Sequence, residues 1–249
     1  MKYFTKEWYA DTILADMCFQ MSSSSKAEKF NEKYYLSLYN SQKKWFIRSE
    51  KIIAKQTKKK FILAEAEAAF EASHKENLEY VKANIPGDIL ADVVDIRVLA
   101  LGSATHDVYD RIVKYCGQVN RRCESVTEQY NAEVEKLAEK IGWTKINMLN
   151  KLSNSAIELA QLDENGNFAF ATSKEYTGVP CRVDLFNTKI LVSDEGLLGA
   201  AVAHFEILQG DGENLVFSAL CQKLDGSLVE FSAEMTDFEV IRCENTAQR

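Results

Sequence analysis

Near residue 150 the hydrophobic period of this chain changes from that of a helix to that of a strand. No other feature limits the fold as strongly. Before the change, apolar side chains recur every three or four residues: Leu63, Ala66, Phe70 and Tyr80 in one stretch, Val108, Ile112, Val119, Val126, Val134 and Leu137 in another. After it they alternate, with Leu215, Phe217, Ala219 and Cys221 on one face of a run and Val216, Ser218, Leu220 and Gln222 on the other. Glycine rises from four in the first 150 residues to seven in the last 99, as short strands joined by tight turns require. The expected fold class is α+β: an α-helical domain of long helices over 1–150, then a small antiparallel β-sheet or sandwich domain over 151–249.

Local signals place the elements. Thr5 caps a first helix over about 6–20. Ser25-Lys26-Ala27-Glu28 has the form of a capping box and opens a long helix through Phe30, Tyr34, Leu38, Trp45 and Ile52 towards Lys60. A further helix spans 61–83 and stops before Pro86. The stretch from Asp88 to Leu101 is apolar nearly all round and predicts a buried central helix, started by Asp88 and ended by Gly102. A last long helix covers 104–141, ended by Gly142. Strands are expected near 156–162, 168–172, 181–192, 200–208, 214–222, 227–232 and 237–242. Hairpin turns fall at 163–167 and, as a two-residue turn, at Asp225-Gly226.

Bulk properties narrow the setting. No uncharged apolar run approaches 18 residues, so no membrane span is expected. Asp11 and Asp16 break the apolar run that a secretory leader would need, so the expected location is cytoplasmic. The six cysteines (Cys18, Cys116, Cys123, Cys181, Cys221 and Cys243) are scattered, the pattern of reduced thiols. Cys116 and Cys123 sit two turns apart on one helix face, about 10 Å along the axis and too far for a disulfide. Charge is uneven: residues 151–249 hold 7 Lys and Arg against 16 Asp and Glu, a net −9, and residues 1–150 carry +2. An acidic half argues against general nucleic-acid binding.

The opening Met1-Lys2-Tyr3-Phe4-Thr5-Lys6-Glu7-Trp8-Tyr9, the segment Asp95-Ile96-Arg97-Val98-Leu99-Ala100-Leu101-Gly102 and the strand pattern of the tail resemble a family of uncharacterised bacterial proteins, a domain of unknown function. The resemblance implies a bacterial cytoplasmic protein, and it implies no catalytic residue and no cofactor.

The familiar chemical motifs are missing. There is no Gly-x-x-x-x-Gly-Lys, no complete Gly-x-Gly-x-x-Gly and no Gly-x-Ser-x-Gly. Glu71 and His74 have the Glu-x-x-His spacing of di-iron bundles, but neither His106 nor His204 completes a second motif, so no metal is expected. Two constellations remain. Lys44, Arg48, Lys51, Lys55 and Lys58, spaced 4, 3, 4 and 3, form a basic stripe on one helix face. The span 43–60 has eight positive charges and only Glu50 against them, whereas residues 62–95 hold eight acids and two lysines, so a solvated or internally paired face is expected. Asp92, Asp95 and Arg97 interrupt the central apolar stretch as charges that need partners, and they are the candidate lining of a polar pocket.

Together these features favour a non-catalytic protein–protein interaction module with an unidentified protein partner, neutralising or regulating it. One alternative is a small-molecule-binding protein or enzyme with a site where helical and β domains meet. Another is nucleic-acid binding through the basic helix 43–60. Tyr34, Tyr35, Tyr39, Trp45 and Phe46 cannot all face one core from one helix, which is compatible with a homodimer.

Overall fold

Helices precede strands in the computed structural model, which describes residues 1–173 and 180–242. The class is α+β. Two compact units divide the chain: Asp11–Arg121, and Met1–Ala10 together with Arg122–Arg249. The division falls inside a helix and so does not coincide with the expected 1–150 and 151–249. The reason is packing. Val134, Leu137, Ala138, Ile146 and Leu149, all helical, share one core with the strands.

The first unit is helical. Helix α1 (Lys6–Asp16), whose residues up to Ala10 fall in the other unit, begins where Thr5 Oγ1 accepts the Trp8 N–H at 3.2 Å, as expected, and passes into a 3-10 turn. Helix α2 (Glu32–Gln56) starts later than the capping box suggested. Ser24 caps only a 3-10 turn, and Asn31 caps α2 by accepting from the Tyr34 N–H. Helix α3 (Leu63–Asn84) follows. The apolar stretch over 88–101 is not one helix. It forms two short ones, α4 (Gly87–Leu90) and α5 (Ile96–Ala100), because Asp95 takes an extended conformation and accepts the Arg97 N–H at 3.0 Å as the cap of α5. Asp88 caps nothing, whereas Gly102 ends α5 at φ +73° as expected. A short parallel pair, β1 (Ser22–Ser23) and β2 (Ser103–Ala104), ties that end down. Helix α6 (His106–Ile141) begins in this unit and ends in the other.

The second unit adds α7 (Trp143–Leu149), which the sequence reading lacked, and eight strands. They are β3 (Ile157–Leu162), β4 (Phe168–Thr172), β5 (Cys181–Phe186), β6 (Lys189–Ser193), β7 (Ala201–Gln209), β8 (Leu215–Gln222), β9 (Leu228–Met235) and β10 (Asp237–Arg242). Two antiparallel sheets result, ordered β10-β5-β4-β3 and β6-β9-β8-β7. The single strand expected over 181–192 is two strands in different sheets, split at Asn187 with φ +50°. The two sheets share a core in which Phe231 packs on Phe168 and Phe170 at ring distances of 4.6 and 4.7 Å. The turn at 163–167 is built by Asp163, whose Oδ1 accepts the N–H groups of Asn165 and Asn167. The β8–β9 turn is longer than two residues: Lys223 N–H donates to Ser227 O, leaving 224–226 as the loop, with Gly226 at φ +82°.

The chain's first residues belong to this strand-rich unit. Glu206 on β7 is only 1% exposed, and its carboxylate accepts the backbone N–H groups of Lys2, Tyr3 (2.9 Å) and Phe4 (3.3 Å). The Met1 ammonium pairs with Glu230. Tyr3 and Phe4 then cover Leu208, Val126 and Tyr130. A buried carboxylate is tolerable here because donors aim at both of its oxygens.

Candidate interaction surface on helix α2

Helix α2 lies against α3 through its aromatic residues. Tyr39 meets Phe70 edge-on at 5.1 Å, Phe46 meets Phe70 at 5.7 Å, and Tyr39 also contacts His74 at 5.2 Å. Tyr34 turns towards the parallel strand pair, where its hydroxyl and that of Ser103 share a 2.9 Å hydrogen bond. Trp45 is thus the one of the five aromatic residues left open, at 70% exposure. None of the 25 residues of α2 is fully buried.

The outward face is basic. Lys44, Arg48, Lys51 and Lys55 recur at helical spacing and are all exposed. Lys58 lies past the helix end at φ +56°, so it extends the ridge without sharing the helix face. Among the described residues none of these five has a carboxylate within ion-pair distance. Of the solvated or internally paired face expected, the stripe shows the solvated form, and the acids of α3 pair with Lys43 outside it, which bridges Glu67 at 3.4 Å and Glu71 at 3.5 Å. Trp45 and Ile52, each one residue on from a ridge lysine, form an exposed apolar flank.

The other candidate residues separate into two groups. Arg97 and Asp95 come together. The guanidinium donates to both oxygens of Asp95, Nε to Oδ1 at 3.0 Å and Nη2 to Oδ2 at 2.8 Å, and again to Glu32 at 2.8 Å. It also lies over the Tyr35 ring at 4.2 Å. Arg97 holds the Asp95 carboxyl below its ordinary range, while Asp95 and Glu32 raise Arg97 further. Asp92 is elsewhere and exposed. It pairs with Arg111, which Asp88 and Asp107 also approach at 3.0 and 3.8 Å. Glu32, 65 positions from Arg97, gives no sequence signal of its role. The Asp107–Arg111 spacing of four is legible in the chain.

Within the strand-rich unit His204 follows a bulge in β7 and sits among Phe4, Trp8 and Tyr9, nearest Trp8 at 4.7 Å. Burial lowers its pKa. A cleft of about 420 Å³ opens beside it, bordered by Tyr9, Gln222 and Asn154, the last at φ +58°. Two thiols are sequestered: burial pushes Cys116 up to about 11 and Cys221 up to about 12, values at which thiolate chemistry is suppressed at neutral pH. The five described cysteines form no disulfide, and Cys243 lies outside the described residues. Among the described residues no three His, Cys, Asp or Glu side chains converge as metal ligands, and no helix is long and apolar enough to cross a membrane.

Compared with family models, curated proteins and solved structures, the chain matches none. The functional reading therefore rests on its own surface.

Proposed function

We propose that this chain is a non-catalytic interaction protein of the bacterial cytoplasm, and that the outward face of α2 docks on an acidic surface of a partner protein. One observation carries this reading: a 25-residue helix with no buried residue presents an unpaired Lys/Arg ridge beside an exposed Trp45 and Ile52. Charge gives such a surface its steering and partner choice, and a central aromatic side chain with an arginine nearby is the usual composition of binding hot spots. The bacterial setting draws on the resemblance of the opening and the 95–102 segment.

The same ridge supports a second reading, contact with nucleic-acid phosphates, because its cations repeat along one line without carboxylates to neutralise them. One experiment separates the two. Tagged wild-type protein and a Lys44→Glu, Arg48→Glu, Lys51→Glu, Lys55→Glu variant are used as baits in a bacterial lysate, with protein and nucleic acid both quantified in the eluates. The expected result is one stoichiometric acidic protein on the wild type, lost from the variant, whose unfolding free energy stays within about 0.5 kcal/mol because the changes are on the surface. Equal capture by both baits overturns the ridge as the docking surface. Nucleic acid on the wild type alone, released steeply by salt, replaces the protein reading with the phosphate one.

A further inference from the structure

A groove of about 680 Å³ runs along the helical unit between α2, α3 and the end of α5, reaching the ridge only at Trp45, and is within the size range of small-molecule sites. Trp45, Phe46 and Phe70 supply aromatic walls, and Phe70 and His74 stack there with their rings 6° from parallel. A smaller hollow of about 110 Å³ shares Gln20, Gln42, Asn77 and Ala100 with it.

Glu76 is the one carboxylate among the residues that border this groove, beside the Gln20, Gln42 and Asn77 amides, the Ser73 and Tyr80 hydroxyls and His74; the buried Tyr80 hydroxyl has no hydrogen-bond partner among the described residues and can accept as well as donate. The Gln42 amide donates its N–H to Leu101 O at 2.7 Å, and the Asn77 amide donates to Ala100 O at 2.5 Å. These bonds satisfy carbonyls at the end of α5 and fix both amides by their nitrogens. Among the described residues neither amide oxygen meets a donor. No lysine or arginine borders either hollow. The α3 wall is acidic as a whole, with Glu65, Glu67, Glu71, Glu76 and Glu79 against Lys75 and Lys82. Electron-rich ring faces, acceptor oxygens and a carboxylate all favour the same ligand chemistry: positive charge carrying N–H donors.

We propose that this groove binds a small organic cation with N–H donors, a guanidinium, amidinium or primary ammonium on a flat or slender body. The cationic group lies against Glu76 and the amide oxygens of Gln42 and Asn77, and the body lies against Trp45 and Phe70. The ridge on the outer face of α2 opposes this only weakly, because its charges sit in water, where screening acts within about 8 Å at physiological salt.

Benzamidine, benzamide and benzoate share one ring and differ in charge, so they form the test. Each is titrated into the ¹⁵N-labelled full chain, following the Trp45 indole and the Gln42 and Asn77 side-chain amides by NMR. The expected result is saturable shifts of these three groups with benzamidine at a Kd below about 1 mM, with benzamide at least about tenfold weaker and benzoate without effect. Glu76→Gln, an exposed change that leaves the fold intact, weakens benzamidine about five- to tenfold, and Trp45→Ala about tenfold. Benzamide binding as tightly as benzamidine overturns the cation selectivity. Absence of saturable shifts at these three groups with benzamidine overturns the site. The four-residue ridge variant binds benzamidine as the wild type does, so loss of partner docking and loss of this site are read separately.

Discussion

Helix α2 and strand β8 make opposite use of their residues. Strand β8 buries six of eight and is covered on both faces, whereas α2 runs 25 residues without burying one. Apolar area removed from water contributes about 25 cal/mol per Å², so the strand-rich core dominates stability and α2 contributes little of it. A helix that packs through one half-buried aromatic side on Phe70 of α3 keeps its other face for surface chemistry. The two regions also treat charge differently. Glu206 is sealed in and held by backbone donors, while Lys44, Arg48, Lys51 and Lys55 stand in solvent without partners. Substitutions in the strand-rich unit should therefore change stability, and those on the ridge should change binding.

The largest effect should come from Glu206→Leu. The change strands three backbone donors in a buried setting, and loss of a buried, hydrogen-bonded charge partner costs about 3–5 kcal/mol. Glu206→Gln keeps an oxygen acceptor and should cost about half as much. Urea unfolding of both variants measures this. A loss under about 1 kcal/mol for the leucine variant would mean that residues 1–4 are not anchored as described, and the contrast with α2 would weaken.

An intermediate effect tests the helical unit, where backbone geometry and not burial is the constraint. Gly102 holds φ +73°, and a Cβ placed there would lie 2.7 Å from the Gln20 carbonyl oxygen. A left-handed conformation costs a non-glycine residue about 1–2 kcal/mol, and a backbone oxygen cannot swing aside as a side chain can. Gly102→Ala should therefore lose about 2 kcal/mol or more by the same assay, whereas Gly117→Ala, inside α6 where a Cβ meets nothing within 4 Å, should gain about 0.5–1 kcal/mol. Equal losses at both glycines would remove the close approach of residues 20 and 102 from the account.

Much of this was legible in the chain, because period and caps are local signals. The change near residue 150, the Thr5 cap, Gly102 and the Asp163 turn all depend on residues a few positions apart. One miss was itself local: the apolar pattern of 88–101 reads as one helix, although Asp95, of a type that caps helices, lies two residues before Arg97 and starts a second one. Readings that depended on distant partners fared differently. The long-range partner of Arg97, Glu32, is invisible to any spacing rule. The ridge was legible as a stripe, but its lack of carboxylates was not. Lys43, one residue outside the stripe, takes the acids of α3. Glu206 left a faint trace as a lone acid between Phe205 and Ile207 in an apolar strand.

The smallest effect is one of pH, and it sharpens the comparison because each unit has one partly buried histidine with a lowered pKa. His204 lies among Phe4, Trp8 and Tyr9, and His74 among Tyr39 and Phe70; burial is the cause in both. A lowered folded-state pKa means that the unfolded chain binds the proton more readily. The stabilising contribution is therefore complete above the unfolded value, about 6.5, and is lost as the pH falls from there towards the folded pKa. Carboxylates held low by partners, such as Asp95 and Asp194, titrate in a more acidic window and do not overlap it. Unfolding free energies at pH 7.5 and 5.5 should show the wild type weaker at 5.5. Replacing His204 with Gln should flatten that difference more than replacing His74, since more of its ring is enclosed. An unchanged difference in both variants would assign the pH dependence to other groups, and would leave the aromatic setting of His204 as packing alone.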